Sequence, residues 1–449
     1  MAHYASQSDA TESSGNERWT PLRVTIIAIC FLLNALDGMD IVIMSYVAPV
    51  LKASWNLTPE VLGTVFSASL AGMAIGGLFI APLADKFGRR PLIVTLLTVI
   101  TLAMLASGMV RNVEELIVLR TIIGMSVGAF LASVTTIAAD FAPRRQQNMI
   151  VAFAIAGYPL GAVLTGLAVA HAMPVWGWRA MLMGAGGISL IVLPVVVFVL
   201  PESIDYLKRI QPRDALARLN SLLHRLGEPP LAVLPPPAGR RKAAVAALFA
   251  EGRMAGTLCL WLAIIMGFMT FYFLVSWITQ LSVQAGLAVS NAIYAGALFN
   301  LGGFIGTLVL GTLSARFGLR PVTCAAMMAG AVVVAAFGYV SASLAVTLAL
   351  AFCVGFATNG GFNAFYALAA ALYPSEIRST GIGWAMGVGR LGAVAGPMLG
   401  GILIGQGLGL AALLVVFAIP LVIAGTAALF VQQRGPSAAP QVGGLVKGL

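Results

Sequence analysis

Long apolar stretches alternate with short polar segments along most of the chain, and the polar segments carry charges, prolines and glycines. A helix needs about 20 mostly apolar residues to cross the hydrocarbon core of a bilayer. About twelve stretches reach that length, which predicts an all-α membrane protein with twelve transmembrane helices. In the first half they cover residues 22–50, 59–84, 90–110, 113–140, 146–172 and 178–200. In the second half they cover residues 254–284, 288–315, 320–340, 344–372, 380–405 and 408–432.

A nine-residue phrase occurs twice, as LADKFGRRP at residues 83–91 and as LSARFGLRP at residues 313–321. Each copy lies between two apolar stretches, which indicates two copies of one membrane unit. The predicted fold is therefore two pseudo-symmetric six-helix bundles, an arrangement typical of transporters whose halves rock around a central site. The expected domains are a cytoplasmic N-terminal tail at residues 1–21, bundles at residues 22–200 and 253–432, a cytoplasmic central loop at residues 201–252 and a cytoplasmic C-terminal tail at residues 433–449.

The composition supports a membrane protein, since 59% of the residues are hydrophobic and 9% are charged, against about 25% charged in soluble proteins. With both termini in the cytoplasm, only Lys52, Arg111 and Arg179 are expected on the outer side, which satisfies the positive-inside rule. The net charge of +10 then reflects topology and does not indicate a nucleic-acid partner. We expect a multi-pass protein of the bacterial inner membrane, in contact with the lipid bilayer and without a cleaved signal peptide.

The sequence offers no motif for covalent chemistry. The four cysteines lie inside apolar stretches without paired spacing, and the three histidines do not cluster. Neither a disulfide nor a metal site is therefore expected. Since no nucleophile or cofactor motif appears either, we expect a protein that is not an enzyme and that uses no cofactor.

The central loop carries apolar residues at near-helical spacing from Leu207 to Leu226, opposed by basic residues. This pattern predicts a helix with one apolar face. It suits a helix on the inner leaflet surface and, equally, a linker helix packed under the two bundles.

Four charged residues fall well inside predicted helices, where a charge is costly and is usually functional or paired. Asp37 and Asp40 are three residues apart on one face of helix 1, with Gly38 between them loosening the backbone. Two close carboxylates do not ionise together easily, so we expect the pair to hold a proton near neutral pH. With Arg120 of helix 4 they form the predicted proton-coupling group. The alternative is a static salt bridge from one aspartate to Arg120.

The fourth buried charge, Arg390 in helix 11, has no acidic partner within its own half. The single acid after Glu251 is Glu376, which belongs to a loop. Because a guanidinium can give a carboxylate two parallel hydrogen bonds, we predict that Arg390 binds an anionic cargo, with Arg120 as a second binding residue. Snorkelling or backbone capping by Arg390 is the alternative.

Aromatic residues and two amides gather in helices 7 and 10 of the second half. A cavity with flat apolar walls and a few amides suits an aromatic ring that bears polar substituents. Besides the two arginines, the predicted substrate-binding residues are Phe271, Tyr272, Trp277, Asn359, Asn363 and Tyr366.

The phrase GLFIAPLADKFGRRP, ending at Pro91, resembles the loop-2/3 signature of the major facilitator superfamily. In that family the aspartate and the basic residues latch the two halves on the inner side. The resemblance assigns this conformational latch to Asp85, Lys86, Gly88, Arg89 and Arg90. The second copy of the phrase has Ala315 where an acid is common, so a weaker latch is expected there.

Within the superfamily, LDGMDIVIMSYVAPVL of helix 1 is similar to the aromatic acid:proton symporter family, and Asp37, Gly38 and Asp40 match its Asp-Gly-x-Asp element. Arg120 in RTIIGMSVG and Arg390 in YPSEIRSTGIGWAMGVGRLGAVAGP resemble its helix 4 and helix 10/11 signatures. The resemblance implies inward co-transport of an aromatic carboxylate, such as a hydroxybenzoate or protocatechuate, with protons.

Other functions stay open at this point. Within transport, the alternatives are a proton symporter of a non-aromatic acid resembling shikimate, or a drug exporter. A receptor that senses aromatic acids without transporting them is a further class. The expected partners are a small aromatic carboxylate, protons and lipid, and the chain is expected to act as a monomer.

Overall fold

The computed structural model describes residues 19–236, 245–339, 343–374 and 376–431, and the regular secondary structure in these ranges is helical throughout. The predicted tails and residues 237–244 of the central loop lie largely or wholly outside this part of the chain. Twelve membrane-spanning segments follow one another: α1 Pro21–Trp55, α2 Pro59–Phe87, α3 Arg89–Ser107, α4 Val113–Phe141, α5 147–176, α6 178–199, α7 Met254–Gln284, α8 Val289–Phe317, α9 Leu319–Phe337, α10 Leu344–Leu372, α11 Arg378–Gly405 and α12 Leu410–Leu429.

The segments α5 and α6 form one apolar helical stretch, Arg144–Val199, of 56 residues. At 1.5 Å per residue a straight helix of this length would measure about 84 Å, whereas the hydrocarbon core is about 30 Å thick. Gly177 interrupts the stretch with φ 72° and ψ 172°. Asp140, before the stretch, and Glu202, after it, both bond to Arg89. The chain therefore reverses at Gly177, and the predicted twelve-helix fold is confirmed.

Two bundles make up the fold, one from α1–α6 and one from α7–α12, and they meet mainly where α2 packs on α11 and α5 on α8. We call the end of the bundles that carries residues 201–236 the loop side, and the opposite end the far side. Apolar segments long enough to cross a bilayer need only pair their backbone groups internally. Their lengths thus suffice to predict the number of membrane spans.

The repeated phrase folds in the same way in both halves. Gly88 ends α2 with φ 105°, and Gly318 ends α8 with φ 90°. Glycine is the residue that adopts such angles without strain. Pro91 and Pro321 follow in the first turn of the next helix, where a missing N–H leaves no bond unmade. These nine residues thus end one helix and begin the next.

Helices α1 and α5 touch through glycine. A Cβ placed on Gly38 would lie 2.0 Å from the carbonyl oxygen of Tyr158, and one on Gly161 would lie 2.0 Å from the carbonyl oxygen of Ala35. The expectation that Gly38 loosens the helix is therefore replaced by a packing role, since α1 is a continuous helix there and only a residue without a side chain admits α5 so closely.

The two halves are closed against each other near the far side. A Cβ on Gly63 of α2 would lie 2.8 Å from the carbonyl oxygen of Pro397 in α11, and one on Gly166 of α5 would lie 2.8 Å from Cβ of Ala297 in α8. We call these four residues the far-side seal. Nearer the loop side, a Cβ placed on Gly387 of α11 would meet no atom within 4 Å. A close contact of the kind seen at the far-side seal is therefore not made at Gly387.

In the described part of the central loop, two short α-helices, Ile204–Ile210 and Ala215–Arg225, take the place of the single helix that the pattern predicts, and a 3-10 turn follows at Val245–Leu248. The left-handed residues Gln211 and Asp214 separate them, with φ 51° and 62°. Leu222 and Leu226 join the main hydrophobic core of the bundles. The alternative of a linker helix packed under the bundles thus fits the structure better than a helix lying on the leaflet surface.

Candidate functional site

The four predicted intramembrane charges meet at the middle of the bundles, between the two halves. Asp37 and Asp40 of α1 are each 4% exposed, Arg120 of α4 is 1% exposed, and Arg390 of α11 is half-buried. Asp40 interacts electrostatically with Arg120, and Asp37 with Arg390. Across the described ranges of the chain, none of the four takes part in a salt bridge within 4.0 Å. These charges are thus near one another without being locked in pairs.

Arg120 points at backbone rather than at a carboxylate. Its Nη1 donates to the carbonyl oxygen of Asp40 at 3.4 Å, and its Nη2 lies 3.6 Å from Sδ of Met104. Oδ1 of Asp40 and Nε of Arg120 are buried without a hydrogen-bond partner. The structure therefore shows no static salt bridge between Asp40 and Arg120, which was the alternative to a coupling role.

Arg390 has a phenol partner and an acidic neighbour. Its Nη1 donates to the hydroxyl oxygen of Tyr272 at 3.0 Å, and its guanidinium lies 5.8 Å from the centre of the Tyr272 ring. The acid is Asp37, which belongs to the other half. The sequence argument counted acids only within the second half, and so it did not consider Asp37 of the first half as a neighbour of Arg390.

Two further phenols belong to this group. Tyr158 of α5 lies close enough to Asp37, Tyr272 and Arg390 to interact with their charges, and the predicted residue Tyr366 interacts with Arg390 and Tyr272. Tyr158 was missed in the sequence. The signal that could have found it is its place beside Gly157 and Gly161, the glycines that bring α5 onto α1.

Phenylalanine rings form a wall beside Tyr272. The rings of Phe271 and Phe362 stack with centroids 4.4 Å apart, and those of Phe268 and Phe362 are 4.5 Å apart. The ring of Tyr272 meets that of Phe271 edge-on at 5.2 Å. We call Phe268, Phe271 and Phe362 the phenylalanine wall. It joins α7 to α10 and packs against Tyr272, the hydrogen-bond partner of Arg390.

Three predicted substrate-binding residues are occupied elsewhere. Trp277 is fully buried, and its Nε1 donates to the carbonyl oxygen of Pro397 at 3.1 Å. Nδ2 of Asn363 donates to Oγ1 of Thr307 in α8 at 2.8 Å and to Oδ1 of Asn359 at 3.1 Å. The structure therefore places Trp277, Asn359 and Asn363 in helix packing, apart from the group around Arg390.

A small cavity of about 20 Å³, room for about one water molecule, lies between α1, α2, α4 and α7. Its polar lining includes Asp40, Arg120, Ser69, Ser276 and the Tyr272 side chain. Residues of both halves thus contribute to one space at mid-membrane. Such a position, at the interface of two repeats, is where transporters of this architecture bind their cargo.

A family model described as the Major Facilitator Superfamily matches residues 30–313 and 286–447, which together cover most of the chain. The chain belongs to the major facilitator superfamily. It is therefore a multi-pass membrane transporter and not an enzyme, as the sequence predicted.

Relatives of this superfamily member include transporters of aromatic acids. The gallate transporter of Pseudomonas putida is 32% identical over 406 residues, covering 90% of each chain. The 4-hydroxybenzoate transporter PcaK of Pseudomonas aeruginosa is 32% identical over 416 residues, covering 91% of this chain and 92% of the relative. The benzoate transport protein of Acinetobacter baylyi is 29% identical, covering 86% and 84%.

Solved structures of the superfamily share the fold. A D-xylose–proton symporter superposes with a TM-score of 0.72 at 17% identity, covering 91% of this chain and 98% of that chain. The inward open conformation of the xylose transporter XylE from E. coli gives 0.70 at 17% identity, covering 92% and 98%. At this identity the likeness concerns the fold alone.

The residues that resemble the superfamily latch are bound to the first half and to the central loop. Arg89 donates through Nη1 to Asp140 at 3.2 Å and to Ser203 at 2.8 Å, and through Nη2 to Asp205 at 3.3 Å. Glu202 accepts the backbone N–H of Arg89 at 2.9 Å. Arg89 thus joins the ends of α3, α4 and α6.

The remaining latch residues surround this cluster. Arg209 of the first loop helix donates to Asp85 at 2.6 Å. Nη2 of Arg90 donates to the carbonyl oxygen of Val197 at 2.7 Å, and Lys86 lies 5.2 Å from the centre of the Phe87 ring. Arg209 was not among the predicted latch residues, because the loop helix that carries it has no counterpart in the repeated phrase.

Proposed function

We propose that this protein imports an aromatic carboxylate together with protons across the inner membrane by alternating access. The observation that carries the proposal is the position of Arg390, a half-buried guanidinium at mid-membrane beside Tyr272 and the phenylalanine wall. The gallate and 4-hydroxybenzoate transporters among its relatives support the same class of cargo.

Arg390 is suited to receive the carboxylate of the cargo. Within the described chain its guanidinium makes one hydrogen bond, to Tyr272, which leaves the other N–H groups for a ligand. The phenol holds the guanidinium in place without neutralising it. A carboxylate that docks there brings its ring against Phe271 and Phe362, where offset stacking is favourable.

Asp37 couples the cargo to a proton. Both the ionised Asp37 and the cargo carboxylate are attracted to Arg390, and the two anions repel each other. Protonation of Asp37 frees Arg390 for the cargo, and cargo binding in turn favours the protonated aspartate. The two ligands therefore enter and leave together, as linkage requires of coupled binding.

Asp40 and Arg120 complete the proton-coupling group. Their Oδ1 and Nε atoms have no partner, so no fixed bond at these atoms holds either side chain in one charge state. Arg120 lowers the cost of an ionised Asp40 in the membrane interior, because an opposite charge nearby favours the charged form. We therefore assign Asp37 and Asp40 to carry protons and Arg120 to set when Asp40 releases its proton.

Charge sets the electrical cost of import. With the orientation that the basic residues predict, the loop side faces the cytoplasm and the far-side seal holds the halves together on the external side. Moving one anion into a cell that is negative inside costs about 2.3 kcal/mol per 100 mV. One proton per monoanion removes that cost, and a second proton makes the potential a driving force.

The test is uptake of radiolabelled acids into proteoliposomes that contain the purified protein and carry an imposed pH gradient, acidic outside. We expect 4-hydroxybenzoate, benzoate and gallate to accumulate and shikimate not to. Protein-free liposomes and liposomes treated with a protonophore are the controls.

Other outcomes favour other functions. Accumulation of shikimate without the aromatic acids would establish a symporter of non-aromatic acids. Saturable binding of an aromatic acid without uptake would establish a receptor. Extrusion of hydrophobic drugs without uptake of any acid would establish an exporter.

A further inference from the structure

Two serine hydroxyls line the central cavity without a hydrogen-bond partner. Ser69 of α2 and Ser276 of α7 both face it, and in the part of the chain that the structure describes neither Oγ makes a hydrogen bond. Serines in helices usually bond to a carbonyl of the preceding turn, as Ser282 does to Ile278 at 2.8 Å. Ser69 and Ser276 leave that bond unmade and point into the cavity instead.

The carboxylate of Asp40 lies at the same cavity. Asp40 is only 4% exposed, and its Oδ1 is buried without a hydrogen-bond partner. An unpartnered polar group in a low-dielectric interior is costly, and such groups are normally satisfied by a ligand or by ordered water. Two hydroxyls and one carboxylate, from α1, α2 and α7, therefore form a polar cluster suited to bind a polar group of a ligand.

The cluster lies at a definite distance from Arg390 along the bundle. Ser276 is four residues beyond Tyr272 in α7, which is about 6 Å along the helix axis. Asp40 is three residues beyond Asp37 in α1, which is about 4.5 Å. Both helices begin at the loop side. The polar cluster therefore lies farther from the loop side than Asp37, Tyr272 and the Arg390 side chain that they contact. The separation is comparable with the length of a benzene ring that carries a substituent at each end.

We propose that Ser69, Ser276 and Asp40 form a subsite for a ring hydroxyl of the cargo, at the position opposite the carboxylate. The inference rests on the proposed function and ranks aromatic acids that carry such a para hydroxyl above those that lack it. A phenol both donates and accepts, so it can donate to Asp40 and accept from a serine. The long axis of the cargo then lies parallel to α1 and α7, with the carboxylate toward the loop side.

The first measurement is the affinity of the purified full-length protein in detergent for three probes, by isothermal titration calorimetry. We expect 4-hydroxybenzoate to bind about tenfold more tightly than benzoate, the difference that one satisfied hydrogen bond to a buried polar group supplies. We expect 2-hydroxybenzoate to resemble benzoate, because its hydroxyl lies beside the carboxylate and cannot reach the cluster.

The second measurement uses variants and the ratio of the benzoate Kd to the 4-hydroxybenzoate Kd. The double variant Ser69→Ala/Ser276→Ala should reduce this ratio about tenfold, and each single variant should reduce it in part. Ser282→Ala is the matched control, since its hydroxyl bonds within α7, and it should keep the wild-type ratio. If the double variant does not fold, the single variants decide, because each removes one oxygen atom.

The outcomes separate the subsite from the function. A wild type that binds 4-hydroxybenzoate and benzoate equally well overturns the subsite and leaves the proposed function standing. If the wild type prefers 4-hydroxybenzoate and the serine variants keep that preference, the subsite is also overturned and the proposed function stands. A wild type that binds none of the three acids overturns the subsite and the proposed function together.

Discussion

The two halves of the bundle bring opposite chemistry to the centre of the membrane. The first half supplies both carboxylates, Asp37 and Asp40, whereas the second supplies Arg390 and the phenylalanine wall. The helices themselves follow the same order in both halves, so the difference lies in the side chains. It teaches that the buried acids and the aromatic wall at mid-membrane come from different halves, and that the interaction between Asp37 and Arg390 crosses from one half to the other.

The two copies of the repeated loop also share a backbone conformation and differ in their side chains. Both have a glycine with positive φ and a proline in the next turn. In the first half Asp85 is bonded to Arg209, and Arg89 is bonded to three side chains. The corresponding positions of the second half are Ala315 and Leu319. The two loops share a backbone, and among the described residues the ionic contacts just named belong to the first copy.

The largest effect is expected at Arg390, the proposed cargo-binding residue of the second half. Arg390→Lys should weaken the apparent affinity for the aromatic acid about 100-fold, because an ammonium gives a point charge in place of a planar fork. The measurement is the concentration dependence of uptake in proteoliposomes. Arg316→Lys, an exposed position of the same half, is the control. Wild-type affinity in Arg390→Lys would falsify the carboxylate-binding role.

A large effect of another kind is expected in the first half. Asp37→Asn or Asp40→Asn should abolish accumulation driven by a pH gradient but retain exchange of internal for external cargo, since exchange needs no net proton movement. The amide resembles the protonated acid in shape, so thermal stability should change little. Uptake and counterflow are measured in the same vesicles, with Glu114→Gln, an exposed carboxylate, as the control. If both variants still accumulate cargo with wild-type pH dependence, the helix 1 pair is structural.

A moderate effect is expected for Arg120→Gln. Loss of the positive charge favours the protonated form of Asp40, which then needs a higher pH to release its proton. The pH profile of uptake should move toward higher pH while transport slows. The profile is measured at saturating cargo between about pH 5 and pH 9, the range in which perturbed carboxylates and histidines titrate in proteins. Intact transport with an unchanged profile would remove Arg120 from the coupling group.

A smaller effect is expected at the loops. Asp85→Asn should shift the balance between the states open to the two sides, because a group away from the cargo can still bias conformations. Labelling of a cysteine at Gly383 of α11, with the native cysteines replaced, should increase. Ala315→Asp supplies an acid to the second loop and should reduce the labelling. Equal labelling in all variants would make Asp85 a simple helix-end charge.

The smallest effect concerns the two loop glycines. Gly88→Ala and Gly318→Ala each place a side chain at positive φ, which costs about 1 kcal/mol. At Gly88 the new Cβ would also lie 2.4 Å from Oε2 of Glu202, whereas at Gly318 the nearest atom is 3.7 Å away. The melting temperature in detergent should therefore fall more for Gly88→Ala. Equal melting temperatures would mean that Glu202 moves aside without cost.

Much of the fold could be predicted from the sequence, because a bilayer constrains helices so strongly that apolar length is nearly sufficient. The charges of the site were visible for the same reason, since Asp37, Asp40, Arg120 and Arg390 interrupt apolar helices. The contact between Asp37 and Arg390 was not visible, because it joins residues from opposite halves. The sequence pattern of one helix does not indicate which helix of the other half that helix contacts.

Uncharged site residues were harder to predict. Ser69, Ser276 and Tyr158 are ordinary residues in apolar helices, and only the tertiary arrangement shows that their polar groups face the centre. Trp277 illustrates the opposite error, since it resembles its aromatic neighbours in sequence but packs against α2 and α11. The direction in which a helical residue points decides its role, and direction depends on neighbours.

The far-side seal consists of glycine, alanine and proline in close contact. Dissolved ions screen charges, but they do not weaken dispersion contacts between neutral atoms. With the orientation that the basic residues predict, this surface meets the external medium, whose salinity and acidity the cell does not control. The contacts among these four residues therefore involve no charge that dissolved ions could screen.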